Sequence, residues 1–187
     1  LHVQNEIADA AIAGDHLGDD RHDERDAEAI AASEVLEVCR ALDGEGNLDY
    51  FHVIAGNSAS LSGAIHIVPP MFYETAYVAP FAATVKAIVS KPVIVTGRIN
   101  QPQIAETVLA SGQADLCGMT RALIADPEMP NKAKAGQLDD IRACIACNQA
   151  CIGHFHKGYP ISCIQFPETG RETTLALKKT KTTRRQT

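Results

Sequence analysis

The sequence predicts an α/β fold in which helices cover a parallel β-sheet. Continuous hydrophobicity, typical of buried strands, marks three short segments: residues 49–56, 91–97 and 114–119. Between and around these strands, apolar residues recur at the spacing of amphipathic helices in four segments: residues 33–43, 80–89, 101–111 and 122–134. Because alternating helices and strands produce parallel sheets, these units form either part of a β/α barrel or a small open sheet. Three and a half such units are too few for a complete eight-stranded barrel.

Helix breakers and caps support the order of these elements. The first helix begins at Ser33, a residue type favoured at helix N-caps, and ends where Gly44 and Gly46 follow it. Cys39 falls on the apolar side of this helix, so we assign it to the core. A long irregular connection is expected over residues 57–77, and loops of this length in compact domains are often functional.

Charged segments flank the predicted fold on both sides. Residues 1–32 are rich in Asp and Glu and contain too few apolar side chains to drive ordering, so we expect an acidic, poorly ordered segment. Residues 172–187 are basic and are expected to form a tail or linker. The chain starts at Leu1 rather than Met, which indicates a fragment or a processed chain.

Composition and charge argue against several classes of protein. The chain has 187 residues, 45% of them hydrophobic and 21% charged, which is typical of one globular domain. A formal net charge of -6 argues against a nucleic-acid-binding surface. We find neither an apolar run of roughly 18 residues, which a membrane span needs, nor a signal-peptide pattern. Six cysteines, four of them closely spaced, fit a reducing compartment, so we predict a cytoplasmic location.

Four cysteines in the C-terminal part form the most specific motif of the chain. They follow the spacing Cys-x2-Cys-x3-Cys-x11-Cys at positions Cys144, Cys147, Cys151 and Cys163. Four thiolates complete the ligand set of one [4Fe–4S] cluster or of one structural zinc ion. Three close cysteines and a more distant fourth are typical of iron–sulfur sites, whereas zinc sites usually combine two separated Cys pairs or Cys with His. Disulfides or free thiols are the third alternative.

Two neighbouring predicted strands end in residues suited to bind phosphate. Gly97 and Arg98 follow the second strand, and residues 118–121, which end in Arg121, follow the third. Glycine lets the backbone approach a ligand, N–H groups at a helix start bind anions, and arginine adds a two-pronged charged donor. In β/α barrels such a site lies in the loops after the last two strands, so we predict a phosphate site here. The alternative is that both arginines are surface residues that pair with carboxylates such as Asp126.

Three segments carry a resemblance to a known family: residues 92–98 (PVIVTGR), 114–127 (ADLCGMTRALIADP) and 140–151 (DIRACIACNQAC). They resemble the iron–sulfur branch of the old yellow enzyme family, which includes the bacterial dienoyl-CoA reductases and trimethylamine dehydrogenase. The resemblance extends from about residue 33 to residue 171, and the four-cysteine spacing is that of this branch.

This resemblance implies the C-terminal part of a (β/α)8 TIM barrel over residues 33–139, followed by a Cys-rich iron–sulfur segment over residues 140–171. In this branch FMN lies at the C-terminal face of the barrel, and a [4Fe–4S] cluster beside it exchanges single electrons with the flavin. The implied FMN-phosphate contacts are Gly97, Arg98, Thr120 and Arg121, and the implied cluster ligands are Cys144, Cys147, Cys151 and Cys163. Related proteins continue into an FAD- and NAD(P)H-binding region, so we expect this chain to be a fragment that also lacks the first barrel strands.

The implied function is an FMN- and [4Fe–4S]-dependent oxidoreductase of the NAD(P)H:flavin type, which reduces enoyl- or dienoyl-like substrates or oxidises amines. His66 and Tyr73, in the long connection, are the candidate proton donors, and His52 is expected to be a hydrogen-bonded core residue. The competing hypothesis is a non-catalytic remnant in which an iron–sulfur or zinc site stabilises the last barrel units. We expect a small-molecule substrate, no nucleic-acid or membrane partner, and either a second copy or another chain that supplies the missing strands.

Overall fold

The computed structural model describes residues 22–58 and 61–175, and it shows a parallel sheet flanked by helices. The strands, in their spatial order, are β1 (Phe51–Val53), β2 (Val93–Thr96) and β3 (Leu116–Gly118). Phe51 pairs with Val93 and Val95 pairs with Cys117, so each strand lies beside the next one in the sequence. Parallel neighbours require crossover connections, and helices lie in both of them. The predicted α/β fold with a parallel sheet is confirmed.

Helices precede, connect and follow these strands. They are α1 (His22–Glu45), α2 (Leu61–Ile67), α3 (Ala79–Lys86), α4 (Pro102–Ala110), α5 (Thr120–Ala125), α6 (Met129–Lys134), α7 (His154–His156) and α8 (Glu172–Leu175), with a 3₁₀ turn at Leu138–Asp140 and a π-helical turn at Gln149–Gly153. Proline occupies the first turn of α3, α4 and α6, where its missing N–H breaks no intrahelical hydrogen bond. None of the helices within the described ranges is both long and apolar enough to cross a lipid bilayer.

The hydrophobic core lies between the sheet and the helices. Phe51 and Val53 on β1, and Val93 and Val95 on β2, are buried, because alternate residues of a strand point to the same face. Buried helical residues pack against them: Val35, Cys39, Ala79, Ala82, Val85 and Val108. Cys39 is 2% exposed, which confirms its predicted core position, and burial raises the pKa of its thiol.

The opposite face of the sheet is more open. His52, Ile94 and Leu116 are register partners on this face. The Nε2 of His52 lies 2.7 Å from Thr96 Oγ1, which confirms the predicted hydrogen bond, but His52 is half-buried on the open face rather than in the core as predicted. Leu116 is 51% exposed. In a closed barrel the corresponding face is filled by layers of side chains from all the strands.

Helix α1 differs from the prediction at its start. It begins at His22 rather than at Ser33, so residues 22–32 of the predicted acidic segment are part of the helix. Alanine and glutamate dominate residues 24–32, and their high helix propensity overrides the low apolar content. Residues 1–21 lie outside the described residues.

Three further segments differ in detail. The connection predicted as irregular over residues 57–77 contains helix α2. The helix predicted over residues 122–134 is divided into α5 and α6 around Pro127, because a residue before proline avoids helical conformation; Asp126 is extended, with φ -145°. Residues 172–175 of the predicted tail form α8, and the remainder of the tail lies outside the described residues.

Candidate functional site

A cleft opens at the carboxyl ends of β2 and β3, where the sequence predicted a phosphate site. It has a volume of about 260 Å³. All four residues predicted to contact a cofactor phosphate line it: Gly97, Arg98, Thr120 and Arg121. The parallel arrangement explains this convergence, since the strand ends are adjacent at one edge of the sheet.

Arg98 has an unusual backbone conformation at the rim of this cleft. Its φ is +55°, in the left-handed region that non-glycine residues seldom adopt and that is enriched at functional sites. Its side chain is held in place, because Nε donates to the Tyr73 carbonyl at 3.1 Å and Nη2 to the Met71 carbonyl at 3.4 Å. These bonds tie the strand end to the connection that follows α2.

Arg121 lies in the first turn of α5 and is half-buried. Its Nη1 donates to the Pro69 carbonyl at 2.9 Å and to Asn148 Oδ1 at 2.7 Å. Burial lowers the pKa of Arg121, and the sulfurs of Cys144 and Cys151 act in the opposite direction. The result is a partly desolvated cation, which attracts anions more strongly than an arginine in water.

The alternative that the two arginines pair with surface carboxylates does not hold within the described residues. Ion pairs there join Lys86 to Asp115 and Lys132 to Asp126, and neither Arg98 nor Arg121 takes part in one. The guanidinium hydrogen bonds of both arginines go to carbonyl and amide oxygens. Their positive charge is therefore not neutralised by a carboxylate in this part of the protein.

Asn100 adds a polar group to the cleft that sequence reasoning missed. Its Nδ2 donates to the Cys144 carbonyl at 2.7 Å. Its Oδ1 is buried and has no hydrogen-bond partner among the described residues. A buried acceptor of this kind is unfavourable unless a donor satisfies it. The cleft thus combines cationic donors with an unsatisfied acceptor, which suits an anionic ligand that also carries a hydrogen-bond donor.

A smaller cavity lies directly beside the cleft and is lined by all four cysteines of the motif: Cys144, Cys147, Cys151 and Cys163. Arg121 lines both cavities. All six cysteines of the chain are free in the structure, so of the third alternative only the free thiols remain beside a metal site. Among the described residues, no group of three His, Cys, Asp or Glu side chains converges closely enough to hold a single metal ion.

The local backbone explains how these thiols come together. Ala146 and Asn148 have φ values of +53° and +56°, and these two reversals fold residues 144–151 into a tight loop. The Ala146 N–H donates to Cys144 Sγ at 3.3 Å. The Ser162 N–H donates to the Ala150 carbonyl at 2.7 Å, which brings Cys163 back beside the loop.

The donor set fits an iron–sulfur cluster chemically. The pKa of the Cys144 thiol is raised, chiefly by burial and also by Cys151 and Cys163, while the Ala146 N–H and the Arg121 guanidinium lower it and so offset part of the rise. Hydrogen bonds to sulfur and nearby positive charge are also the features that tune cluster potentials. In a [4Fe–4S] cluster each cysteine binds a different iron, so the sulfurs need to surround a space rather than meet at one point.

His66, the candidate proton donor, does not line the cleft. It is buried on α2, 7% exposed, with Nδ1 3.2 Å from the Tyr77 hydroxyl and its ring 4.8 Å from the Tyr73 ring. Burial and the neighbouring Tyr73 raise the pKa of Tyr77 well above its usual value, while Arg121 and Arg98 lower it. The rings of His66, Tyr73 and Tyr77 contact one another, and the adjacent Ile67 lines the cleft instead.

Comparison with known proteins agrees with this geometry. The NADH:flavin oxidoreductase / NADH oxidase family matches residues 44–140. The chain is 40% identical over 149 residues to a metal reductase of Desulforamulus reducens, covering 79% of this chain and 21% of that protein. It is 30% identical over 146 residues to a cinnamate reductase of Clostridium sporogenes, covering 78% of this chain and 21% of that protein.

Solved structures of two oxidoreductases also match this chain. A 2-naphthoyl-CoA reductase complex matches with a TM-score of 0.69 and 28% identity, over 77% of this chain and 21% of that chain. The 6-hydroxypseudooxynicotine amine oxidase of Pseudomonas geniculata N1 matches with a TM-score of 0.57 and 26% identity, over 84% of this chain and 28% of that chain. The chain thus spans about a fifth of the length of the curated relatives named above. The resemblance stated from the sequence is confirmed: this chain fits the iron–sulfur branch of the old yellow enzymes and belongs to the NADH:flavin oxidoreductase / NADH oxidase family.

Proposed function

We propose that this chain provides the FMN-phosphate site and the [4Fe–4S] site of a flavin-dependent oxidoreductase. The observation that carries the proposal is the adjacency of two cavities that share Arg121. One is lined by the residues suited to phosphate, and the other by four free thiols. A cluster and a flavin must lie close together to exchange electrons, and this arrangement supports such proximity.

In the proposed enzyme each group of residues has a distinct task. Bound FMN supplies hydride and single-electron chemistry. Arg98 and Arg121 hold its phosphate and so fix the position of the flavin. The Asn100 Oδ1 accepts a hydrogen bond from the ligand. Cys144, Cys147, Cys151 and Cys163 bind the cluster, and the Ala146 N–H stabilises the charge on the first of these sulfurs.

The substrate class is proposed from the relatives. One curated relative is named a cinnamate reductase and one solved neighbour an amine oxidase, so we propose that the full enzyme reduces enoyl- or dienoyl-like compounds or oxidises amines. FAD and NAD(P)H are additional proposed cofactors of that full enzyme. His66 remains the candidate proton donor of the proposed enzyme, but it contacts Tyr77 and does not line the cleft, so a substrate would have to reach it from outside the cleft. We place the protein in the cytoplasm, where free thiols stay reduced.

A non-catalytic metal-binding remnant is the second candidate. The open face of the sheet favours it, since Leu116 is 51% exposed and a flavin ring needs a more enclosed pocket. In that case an iron–sulfur cluster or a zinc ion in the cysteine cavity stabilises residues 140–171 and no flavin binds.

Anaerobic purification of the 187-residue chain, followed by an absorbance spectrum and assays of iron, sulfide, zinc and FMN per chain, tests the proposal. We expect four irons, a stoichiometric amount of FMN and the structured yellow spectrum of a flavin. An Arg98→Gln variant should lose FMN and keep its iron. Iron without FMN in the wild type would favour the remnant with a cluster. A colourless protein that contains zinc would refute the cluster, weaken the proposal of an active flavoenzyme and favour the remnant with zinc.

A further inference from the structure

Asn148 connects the cysteine cavity to the cofactor cleft through both polar atoms of its side chain. Its Oδ1 accepts a hydrogen bond from Arg121 Nη1 at 2.7 Å. Its Nδ2 donates to the Val68 carbonyl at 2.7 Å. Arg121 and Val68 both line the cleft, whereas Asn148 lies between Cys147 and Cys151 and lines the cysteine cavity.

The backbone at this position is also specialised. Asn148 has φ +56°, and its carbonyl accepts the Gly153 N–H at 2.8 Å. Asparagine and glycine are the residues that adopt this conformation most readily. Either residue would satisfy the backbone, but only asparagine supplies the side-chain bonds to Arg121 and Val68. The backbone requirement alone therefore does not account for the side chain.

The bond to Arg121 restricts how that guanidinium can be placed. Its hydrogen bonds within the described residues, to the Pro69 carbonyl and to Asn148 Oδ1, both use Nη1. The remaining donors, Nη2 and Nε, are then presented in one orientation by a group fixed on two sides. A fixed fork of donors binds phosphate more tightly than a mobile one, because less side-chain freedom is lost on binding.

We propose that Asn148 is a positioning residue that orients Arg121 for the cofactor phosphate from within the cluster-binding loop. This inference rests on the proposed function and adds that phosphate binding in the cleft depends on the state of the cluster-binding loop. Metal binding orders the loop that carries its ligands. Loading of the cluster therefore supports phosphate binding through Asn148, and the two sites favour each other's occupancy.

The test compares FMN with riboflavin, which is the same flavin without the phosphate. Each flavin is titrated with the anaerobically purified, iron-loaded full chain, and the quenching of flavin fluorescence gives its affinity. In Asn148→Gly, which keeps the backbone conformation and removes the side chain, we expect FMN to bind about tenfold more weakly, as for loss of one charge-assisted contact. Riboflavin affinity and iron content should not change. Asn148→Asp, which keeps the acceptor for Arg121, should retain the preference for FMN.

Two further variants separate positioning from a general loss of structure. Asn131→Ala removes another asparagine side chain, whose Nδ2 donates to Glu128 Oε2 at 2.9 Å on the exposed surface of α6, and it should behave as the wild type. Asn148→Ala repeats the truncation without the added flexibility of glycine; because alanine is strained at φ +56°, its iron content is measured as well, and its preference for FMN should again be reduced. Equal weakening of FMN and riboflavin, or no change in either, would overturn the inference. A wild type without any preference for FMN over riboflavin would instead refute the proposed function, and the inference with it.

Discussion

At the scale of single residues, Asp126 joins three parts of the C-terminal half. Its carboxylate accepts hydrogen bonds from the Glu128 N–H at 3.1 Å, Lys132 Nζ at 2.6 Å and the Arg142 N–H at 2.9 Å. Asp126 is only 2% exposed. Burial on its own would raise the pKa of Asp126, but the bonds from Arg142 and Lys132 outweigh it, and the pKa is lowered. Asp126 therefore attaches the start of the cysteine segment to the loop between α5 and α6.

We expect Asp126→Asn to reduce the free energy of unfolding by about 2 kcal/mol at neutral pH, because a buried charged hydrogen-bonding group is lost. A lowered native pKa gives stability that is present above the unfolded pKa of about 3.9 and disappears as the pH falls through the native pKa. The difference between wild type and variant should therefore shrink in that acidic range. Urea unfolding of the metal-free chains at a series of pH values measures this.

Asp139→Asn provides the control, since this carboxylate is exposed in the same part of the chain. It should leave the free energy of unfolding within about 0.5 kcal/mol of the wild type. A difference between Asp126→Asn and wild type that stays constant down to the acid range would contradict the assigned role of the charge.

At the scale of elements, residues 140–171 contain little regular structure and depend on specific contacts. The Arg142 guanidinium lies 4.5 Å from the centre of the Phe166 ring, and Gln165 Nε2 donates to the Ala143 carbonyl at 2.9 Å. These contacts hold the two ends of the segment together around the cysteine cavity. In the proposed enzyme, a bound metal centre would add to the order of this segment.

We expect Cys163→Ser to lose most of its iron and to loosen the segment after residue 139, because the fourth thiolate closes the ligand set. Iron per chain and limited proteolysis measure the two effects. Cys39→Ser and Cys117→Ser are matched controls and should keep the wild-type iron content, since these thiols lie against the core and next to the Ala105 carbonyl. Full iron content in Cys163→Ser would show that the fourth ligand is another residue.

At the scale of the whole molecule, the described sheet presents one covered face and one open face. The covered face carries the core, and the open face includes Leu116. Within the described residues β1 and β3 are edge strands, and edge strands of a parallel sheet readily pair with additional chain. We propose that either a second copy or a longer polypeptide covers this face.

If a second copy covers it, the isolated chain should self-associate with increasing concentration, as measured by sedimentation velocity. Leu116→Glu should shift this equilibrium to the monomer, because a charge would be buried in the contact. Leu109→Glu on α4 is the matched control: Leu109 is 37% exposed but lies on the outer helical layer, so its substitution should leave association unchanged. A wild type that stays monomeric at all concentrations would exclude the second copy and leave the longer polypeptide.

Some helix boundaries could be predicted from the sequence and others could not. Helix ends such as Gly46 after α1 were predictable, because glycine in the left-handed conformation is a local requirement. The start of α1 was not, because charge and helix propensity make opposite predictions for residues 22–32. Helix α2 was missed because its seven residues carry little periodic signal within a segment rich in small and polar residues.

The sequence by itself determined the fold class, the family, the four-cysteine motif and the two arginines at the strand ends. Each depends on residue type and short spacing, which local physical chemistry constrains. Only the tertiary structure decided that Arg121 borders both cavities, that Asn148 bonds across 80 positions to Val68, and that His66 does not line the cleft. Hydrogen bonds between such distant positions leave no periodic trace in the chain, because they arise only when packing of the sheet and helices brings separate loops to one edge.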